Sequence, residues 1–439
     1  MMMENGQPQT NLIHNKHLFC LTTSYPHYPN DISGVFVKRL NDFLLANGWQ
    51  ITVISFDRDL ITAKLENNPS LTHQEKLHLV SVPVIKNSLD GGAPDVFSRS
   101  PLKSLLPMLV NMYRLSRRFH SEVQRWKKKQ DMSSRSPLVI CHWSIPSGWI
   151  ARGFQPIVYC HGGDIALWEK LPFGASLARH CLSKAKAIIC VSQDLKDRLS
   201  KFWFSASKRF ICPPIHVLSM GVDKAEGTPQ FKQELLTHAQ QQVILCTLGR
   251  LVEIKGYDLL LEALGTLSLS LRKRVIWFMA GAGPEKQNLI DRAQQLDVRL
   301  VYLGQISPAQ RESLFEISDL YVAPSKQLGH RVEGSPLSLR EAALAGCTIM
   351  STTLGGTKEI LDCLPKEHVL IIQDCHLSIA QSLKKFLNNR DQNTCTLNSR
   401  KRVMDQAKQL WSWETLGPQH TLLIEQLCAK DTILKSMKS

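Results

Sequence analysis

The sequence predicts an α/β fold class: two Rossmann-like, doubly wound domains that face a central cleft. Three observations carry this reading. Short apolar runs alternate with longer amphipathic stretches, as in parallel sheets covered by helices on both faces. The runs fall into two series separated by one polar stretch. The length of 439 residues, at roughly 150 residues per domain, provides for two to three domains with cores of their own.

The first series places strands at LFCLTTS (18–24), ITVISF (51–56), LVSVPV (79–84), LVICHW (138–143), IVYC (157–160), AIICVS (187–192) and IHVLSMG (215–221). The second places them at VILCTLG (243–249), VIWFMAG (275–281), LVYLG (300–304), LYVAPS (320–325), CTIMST (347–352) and VLIIQ (369–373). Between the series, KAEGTPQFKQELLTHAQQQ is polar and carries Gly, Thr and Pro, the composition of a boundary. The expected organisation is an N-terminal domain over 1–223, a linker over 224–242, a C-terminal domain over 243–405, and a helical tail over 406–439 that could cross back to the first domain.

Composition removes several classes. With 43% hydrophobic and 21% charged residues the chain is globular, not disordered. No apolar run approaches the roughly 18 residues of a membrane span, so any membrane contact is expected to be peripheral. The start, MMMENGQPQTNLIHNKHLFC, lacks an apolar core followed by a small-residue cleavage site, so a retained N-terminus and a cytoplasmic location are expected. The 12 cysteines lie singly, without C-x-x-C pairs or zinc-ligand spacing, so reduced, buried thiols and no metal site are expected. Lys+Arg 53 against Asp+Glu 38 gives +15, which implies an anionic partner. Nucleic acid is not the expected one, because the charge is not interleaved with the aromatics of a known binding module.

Two stretches concentrate candidate chemistry. In HRVEGSPLSLREAALAG, Glu333 and Glu341 are eight apart, Pro336 lies near the first turn of a helix, and Gly346 ends it. Carboxylates accept hydrogen bonds from sugar hydroxyls, and free N–H groups at a helix start suit an anion. Read alone, the pair is equally a helix-start acid and a surface glutamate. In LGRLVEIKGYDLLLEAL, a strand ends at Gly249-Arg250, and Lys255-Gly256 precedes a helix. Open α/β sheets bind ligands beyond such strand ends, and Arg with Lys can neutralise a diphosphate. As an isolated pair they would be solvated loop charges.

These strings, with MAGAGPEKQNL, VYLGQIS, DLYVAPS and LGGTKEIL, occur in one register over about 120 residues and resemble the retaining glycosyltransferases of family 4, which have the GT-B fold. Upstream, SYPHYPNDISGVFVKRLNDFLLANGWQITVIS, ICHWSIPSG, YCHGGDI and CVSQDLKDRL resemble the acceptor-side domain of the same family, particularly of enzymes that build bacterial surface polysaccharides. The resemblance implies that Arg250 and Lys255 hold the diphosphate of a nucleotide sugar, that Glu333 contacts the donor sugar, and that Glu341 binds the ribose hydroxyls. It implies a catalytic-cleft place for His161, with Asp164 orienting loop or sugar. Gly34 matches a loop glycine that approaches the donor phosphates; Gly249, Gly334, Ser335, Pro336, Leu337, Gly355 and Gly356 complete the donor-binding set. His142, at a strand end, is a candidate to line the acceptor pocket, although an aromatic there is more often packing. One departure is Ser33-Gly34, where many members carry two glycines.

What the resemblance implies is hexosyl transfer with retention from a nucleotide sugar, UDP favoured over GDP, to a glycan or lipid-linked acceptor of surface polysaccharide or lipopolysaccharide; independence of metal is expected from the residues, with Arg250 and Lys255 replacing Mg²⁺ at the diphosphate. No cofactor beyond the donor substrate is implied. The alternative is a non-catalytic GT-B scaffold or sugar-binding protein, against which the intact Arg250, Lys255, Glu333 and Glu341 set argues. The stretch 101–130 has helical apolar spacing, and from Arg99 to Lys129 it carries nine Lys or Arg and one acid, Glu122. Its stripe could pack on the first sheet while its basic back rests on an anionic membrane surface.

Overall fold

The computed structural model describes residues 16–27, 34–57, 76–84, 101–129, 137–204, 211–389 and 397–436. Ser33 therefore lies outside the described residues. The first sheet contains β1 (His17–Leu21), β2 (Gln50–Asp57), β3 (Leu77–Pro83), β4 (Leu138–His142), β5 (Ile157–Cys160), β6 (Ala187–Cys190) and β7 (Ile215–Val217). The second contains β8 (Val243–Leu248), β9 (Val275–Ala280), β10 (Leu300–Gly304), β11 (Leu320–Ala323), β12 (Thr348–Thr352) and β13 (Val369–Ile372). Every residue of β5, β6 and β9 is buried, which is why these strands read as continuous apolar runs.

Helices of the first domain are α1 (Val35–Ala46), α2 (Pro101–Lys129), α3 (Gly163–Lys170), α4 (Gly174–Leu182) and α5 (Gln193–Phe204). The remainder are α6 (Pro229–Ala239), α7 (Tyr257–Gly265), α8 (Leu269–Arg272), α9 (Lys286–Gln295), α10 (Pro308–Ile317), α11 (Leu337–Leu344), α12 (Thr357–Asp362), α13 (His376–Asn389), α14 (Leu397–Trp411) and α15 (Trp413–Ser436). Their ends follow from sequence. Ser307 and Gln310 form a reciprocal capping box with Pro308 at the first helical position of α10. At the end of α11, Gly346 adopts φ 79°, its N–H reaches the Ala343 carbonyl at 2.9 Å, and Cys347 N–H reaches Ala342 at 2.9 Å, the paired closure of a Schellman turn.

Both sheets are parallel, ordered β3-β2-β1-β4-β5-β6-β7 and β10-β9-β8-β11-β12-β13. Each reverses its direction of winding between two neighbouring central strands, β1/β4 and β8/β11, and a crevice opens there beyond the strand ends. The stretch 224–242 differs from a bare linker: it contains α6, whose Leu235 and Ala239 join the second domain's core. Its polar composition reflects one exposed face, with Pro229 at the start of the helix. The tail helix α15 packs on the first domain, where Trp413, Leu416, Ile424 and Leu427 join that core.

Helix α2 divides along its length. Leu115, Phe119 and Val123 are buried, and Phe119 and Trp126 meet Phe19 of β1 edge-on at 6.4 and 5.8 Å. Each such side chain contributes about 1.5–3 kcal/mol on burial. Leu106, Leu109 and Tyr113 are instead exposed at 69, 47 and 65%, so among the described side chains the stripe is buried toward the C-terminal half of the helix.

Candidate functional site

The donor-side residues converge at the β8/β11 crevice. Strand β8 ends at Leu248, Gly249 and exposed Arg250 follow it, and a short turn, Glu253–Lys255, returns the chain to α7. A Cβ on Gly249 would stand 3.3 Å from Lys255 Cε, so the missing side chain lets Lys255 lie across the strand end. Lys255 Nζ is 2.8 Å from Glu333 Oε1, both largely shielded from water. Sequence distance gave no hint of this pairing of cation and acid.

Glu333 enters from the loop after β11, and Gly334, Ser335 and Pro336 lead into α11, which begins at Leu337 with Pro336 in the capping position. Ser335 Oγ accepts from Arg340 Nη2 at 2.7 Å. Gly355 and Gly356 form the second loop, and Gly356 N–H donates to the Glu333 carbonyl at 3.0 Å. That bond ties the second loop to the backbone of the first. Glu341 lies one turn into α11, 7% exposed, and its Oε1 stands 3.0 Å from Arg311 Nη1 and 3.7 Å from Arg39 Nη1.

The first domain supplies the opposite wall. Here backbone comes close to backbone: a Cβ on Gly334 would lie 2.8 Å from the His161 carbonyl oxygen, and one on Gly162 would lie 3.3 Å from Gly334 Cα. His161 thus stands at the cleft beside the donor loop. One of its ring nitrogens, Nε2, shares a hydrogen bond with His142 Nδ1 at 2.9 Å. Burial pushes His161 down to about 4, opposed by the nearby Asp164 carboxylate and reinforced by His420. His142 is fully buried and stacks on Tyr159 at 4.9 Å, so it supports His161 from behind and does not line an acceptor pocket. Asp164 is also internal: its oxygens accept the backbone N–H groups of Ser144 at 2.8 Å and of Gly162 and Ile165 at 3.1 Å. It shapes the loop that presents His161. Gly34 sits at the start of α1 with φ 66°, and a Cβ there would lie 2.2 Å from the Ser24 carbonyl oxygen.

Several site residues had no sequence signal of their own. Arg39 and Arg311 reach Glu341 from helices of different domains, and Arg340 of α11 donates to the Met220 carbonyl at 3.2 Å while buried, which pushes its guanidinium down to about 10. Arg198 is held by Glu169 at 3.0 and 2.6 Å and donates to the His330 carbonyl at 2.9 Å. All are contacts between distant parts of the chain. Among the described residues no group of three or more His, Cys, Asp or Glu is placed to hold a metal ion. The one Asp-x-Asp triplet, Asp57-Arg58-Asp59, begins at the end of β2, where Asp57 is buried 3.6 Å from His27 Nδ1; Asp59 lies outside the described residues.

Two doubly wound domains closing on one crevice-lined cleft constitute the GT-B arrangement. Residues 33–226 match the family Glycosyltransferase Family 4, and residues 230–410 match the family Glycosyl transferases group 1. Among curated proteins, the chain is 22% identical over 57% of its length to a phosphatidylinositol N-acetylglucosaminyltransferase component of Arabidopsis thaliana. It is 25% identical over 44% of its length to a putative colanic acid biosynthesis glycosyltransferase of Escherichia coli K12. The matched region spans about half of these relatives, 52% and 47% of their lengths. Among solved structures, sucrose-phosphate synthase from Thermosynechococcus elongatus superposes with TM-score 0.70 at 16% identity, covering 94% of this chain and 100% of that one. The Anabaena protein HepE, solved with UDP and glucose, superposes with TM-score 0.66 at 14% identity, again covering 94% and 100%. The chain belongs to the family 4 glycosyltransferases with the GT-B fold.

Proposed function

We propose that the protein is a retaining, metal-independent hexosyltransferase, moving a sugar from a nucleoside diphosphate sugar to a lipid-linked or glycan acceptor of bacterial surface polysaccharide or lipopolysaccharide. The observation that carries the reading is the Lys255–Glu333 pair, 2.8 Å apart at the strand-order reversal of the second sheet. A cation and an acid there match the two ends of a sugar diphosphate: phosphate for Lys255 and Arg250, sugar hydroxyls for Glu333. UDP is the favoured nucleotide, supported by the HepE structure solved with UDP and glucose.

In the reaction the bond from anomeric carbon to diphosphate oxygen breaks, and negative charge grows on that oxygen. Arg250 and Lys255 stabilise it in a partly desolvated site, where fixed cations act strongly. The acceptor oxygen bonds to the same face of the anomeric carbon, and its proton passes to the departing phosphate. Because the departing phosphate takes that proton, no side-chain base is assigned; His161, pushed down to about 4 by burial, serves as a cleft wall for sugar hydroxyls.

A membrane-bound acceptor accords with α2. Its solvent side displays Arg114, Arg117, Arg118, Arg125, Lys128 and Lys129, while its acid Glu122 is buried and bound by Arg125 at 2.8 Å. Exposed Leu106, Leu109 and Tyr113 add apolar contact to this basic face. Among the described residues no helix is long and apolar enough to cross a membrane. The association proposed is peripheral, through this basic face, at a cytoplasmic membrane surface. The test is release of UDP from UDP-hexoses in the presence of envelope glycolipids. Release that vanishes in Glu333→Gln is expected; binding of UDP with no transfer to any glycolipid would favour the non-catalytic scaffold.

A further inference from the structure

The donor-loop motif LGGTKEIL places Gly355 and Gly356 at the site but leaves Glu359 without a role. Glu359 lies in the first turn of α12, in the second domain. Its carboxylate nevertheless reaches the first domain. Oε2 accepts the Gln193 N–H at 2.8 Å and Oε1 accepts the Asp194 N–H at 2.8 Å, the opening amides of α5. Helix-start amides lack partners within the helix and carry partial positive charge, so a carboxylate taking two of them is a charge-assisted cap. Here the cap is supplied across the cleft.

The neighbouring contacts show that α5 lies over both donor loops. Arg198 of α5 donates to His330, three residues before Glu333, at 2.9 Å. A Cβ on Gly356 would come within 3.0 Å of Ser192 Cβ. Because α12 begins directly after Gly356, the place of Glu359 is tied to that of the second donor loop.

We infer that Glu359 is a positioning residue that latches the first domain over the donor site through the start of α5, an inference that rests on this being the nucleotide-sugar site. The carboxylate touches no reacting atom; it holds the two walls in register while transfer occurs.

Two variants remove the latch from opposite sides. Glu359→Gln keeps shape but removes the charge. Gln193→Pro deletes one donor at the first position of a helix, where proline is tolerated. Small-angle X-ray scattering reads closure directly, and titration with UDP reads its effect on the site. Both variants are expected to increase the radius of gyration relative to wild type and to weaken UDP binding about tenfold, because only the closed fraction binds fully. Turnover at saturating donor should fall as well, with secondary structure by circular dichroism unchanged. An unchanged radius of gyration in both variants overturns the latch. If the variants open but UDP neither binds nor recloses them, the latch stands and the donor-site reading fails.

Discussion

Lys255 and Glu333 hold one another at 2.8 Å, so their two charges offset one another before any phosphate arrives. A diphosphate entering there competes with Glu333 for the ammonium and frees the carboxylate to accept sugar hydroxyls. Lys255→Ala and Arg250→Ala should each lower turnover by about 10²–10³, the usual loss for one charge-stabilising donor, measured by UDP release. Gly334→Ala tests the cleft differently. Its Cβ would stand 2.8 Å from the His161 carbonyl, so the domains must part. Activity should collapse while the urea unfolding midpoint moves little; unchanged activity would show that the walls do not meet in solution. At this scale the motif glutamates and cations were legible because their spacing is local. Arg39, Arg311 and Glu359 were not, since each finds its partner only after chain segments far apart in sequence have folded together.

Among the elements, α15 and α2 carry distinct consequences. His420 of α15 is fully buried, shares a hydrogen bond with Tyr159 Oη at 2.9 Å and another with the Ser219 carbonyl at 3.0 Å. Burial pushes it down to about 4 from 6.5. The unfolded chain therefore binds the proton first as pH falls, so this stability is intact above pH 6.5 and declines toward pH 4, by about 3 kcal/mol at most for this residue. His420→Asn should be less stable at pH 7.5 yet show a flatter decline between pH 6.5 and 4, read by urea unfolding across pH. On α2, replacing Arg117, Arg118, Lys127, Lys128 and Lys129 with Gln should abolish sedimentation with anionic vesicles; persistent binding would remove the membrane part of the reading and leave the transferase intact. The strands were legible element by element because burial on both faces makes them uniformly apolar. Helix α6 was not, because a helix with one narrow buried edge, Leu235 and Ala239, looks like a polar connector.

For the molecule as a whole, the two-domain α/β class followed from the count and order of apolar runs, and the sheets realise it with matching strand orders. Sequence could not say how the domains face one another. That arrangement rests on contacts such as Gly162 with Gly334 and Glu359 with α5, which no periodicity encodes. It sets the donor crevice of one sheet against the histidine wall of the other, and the proposed function stands or falls on a nucleotide diphosphate binding there on protein cations. The direct measurement is thermal stabilisation by UDP, GDP, CDP and ADP and their sugar conjugates, with chelator and then with Mg²⁺. One nucleotide series, that of UDP, should raise the melting temperature equally in chelator and Mg²⁺, and the rise should vanish in Arg250→Ala and Lys255→Ala. No rise with any nucleotide, or one that survives both substitutions, would contradict it.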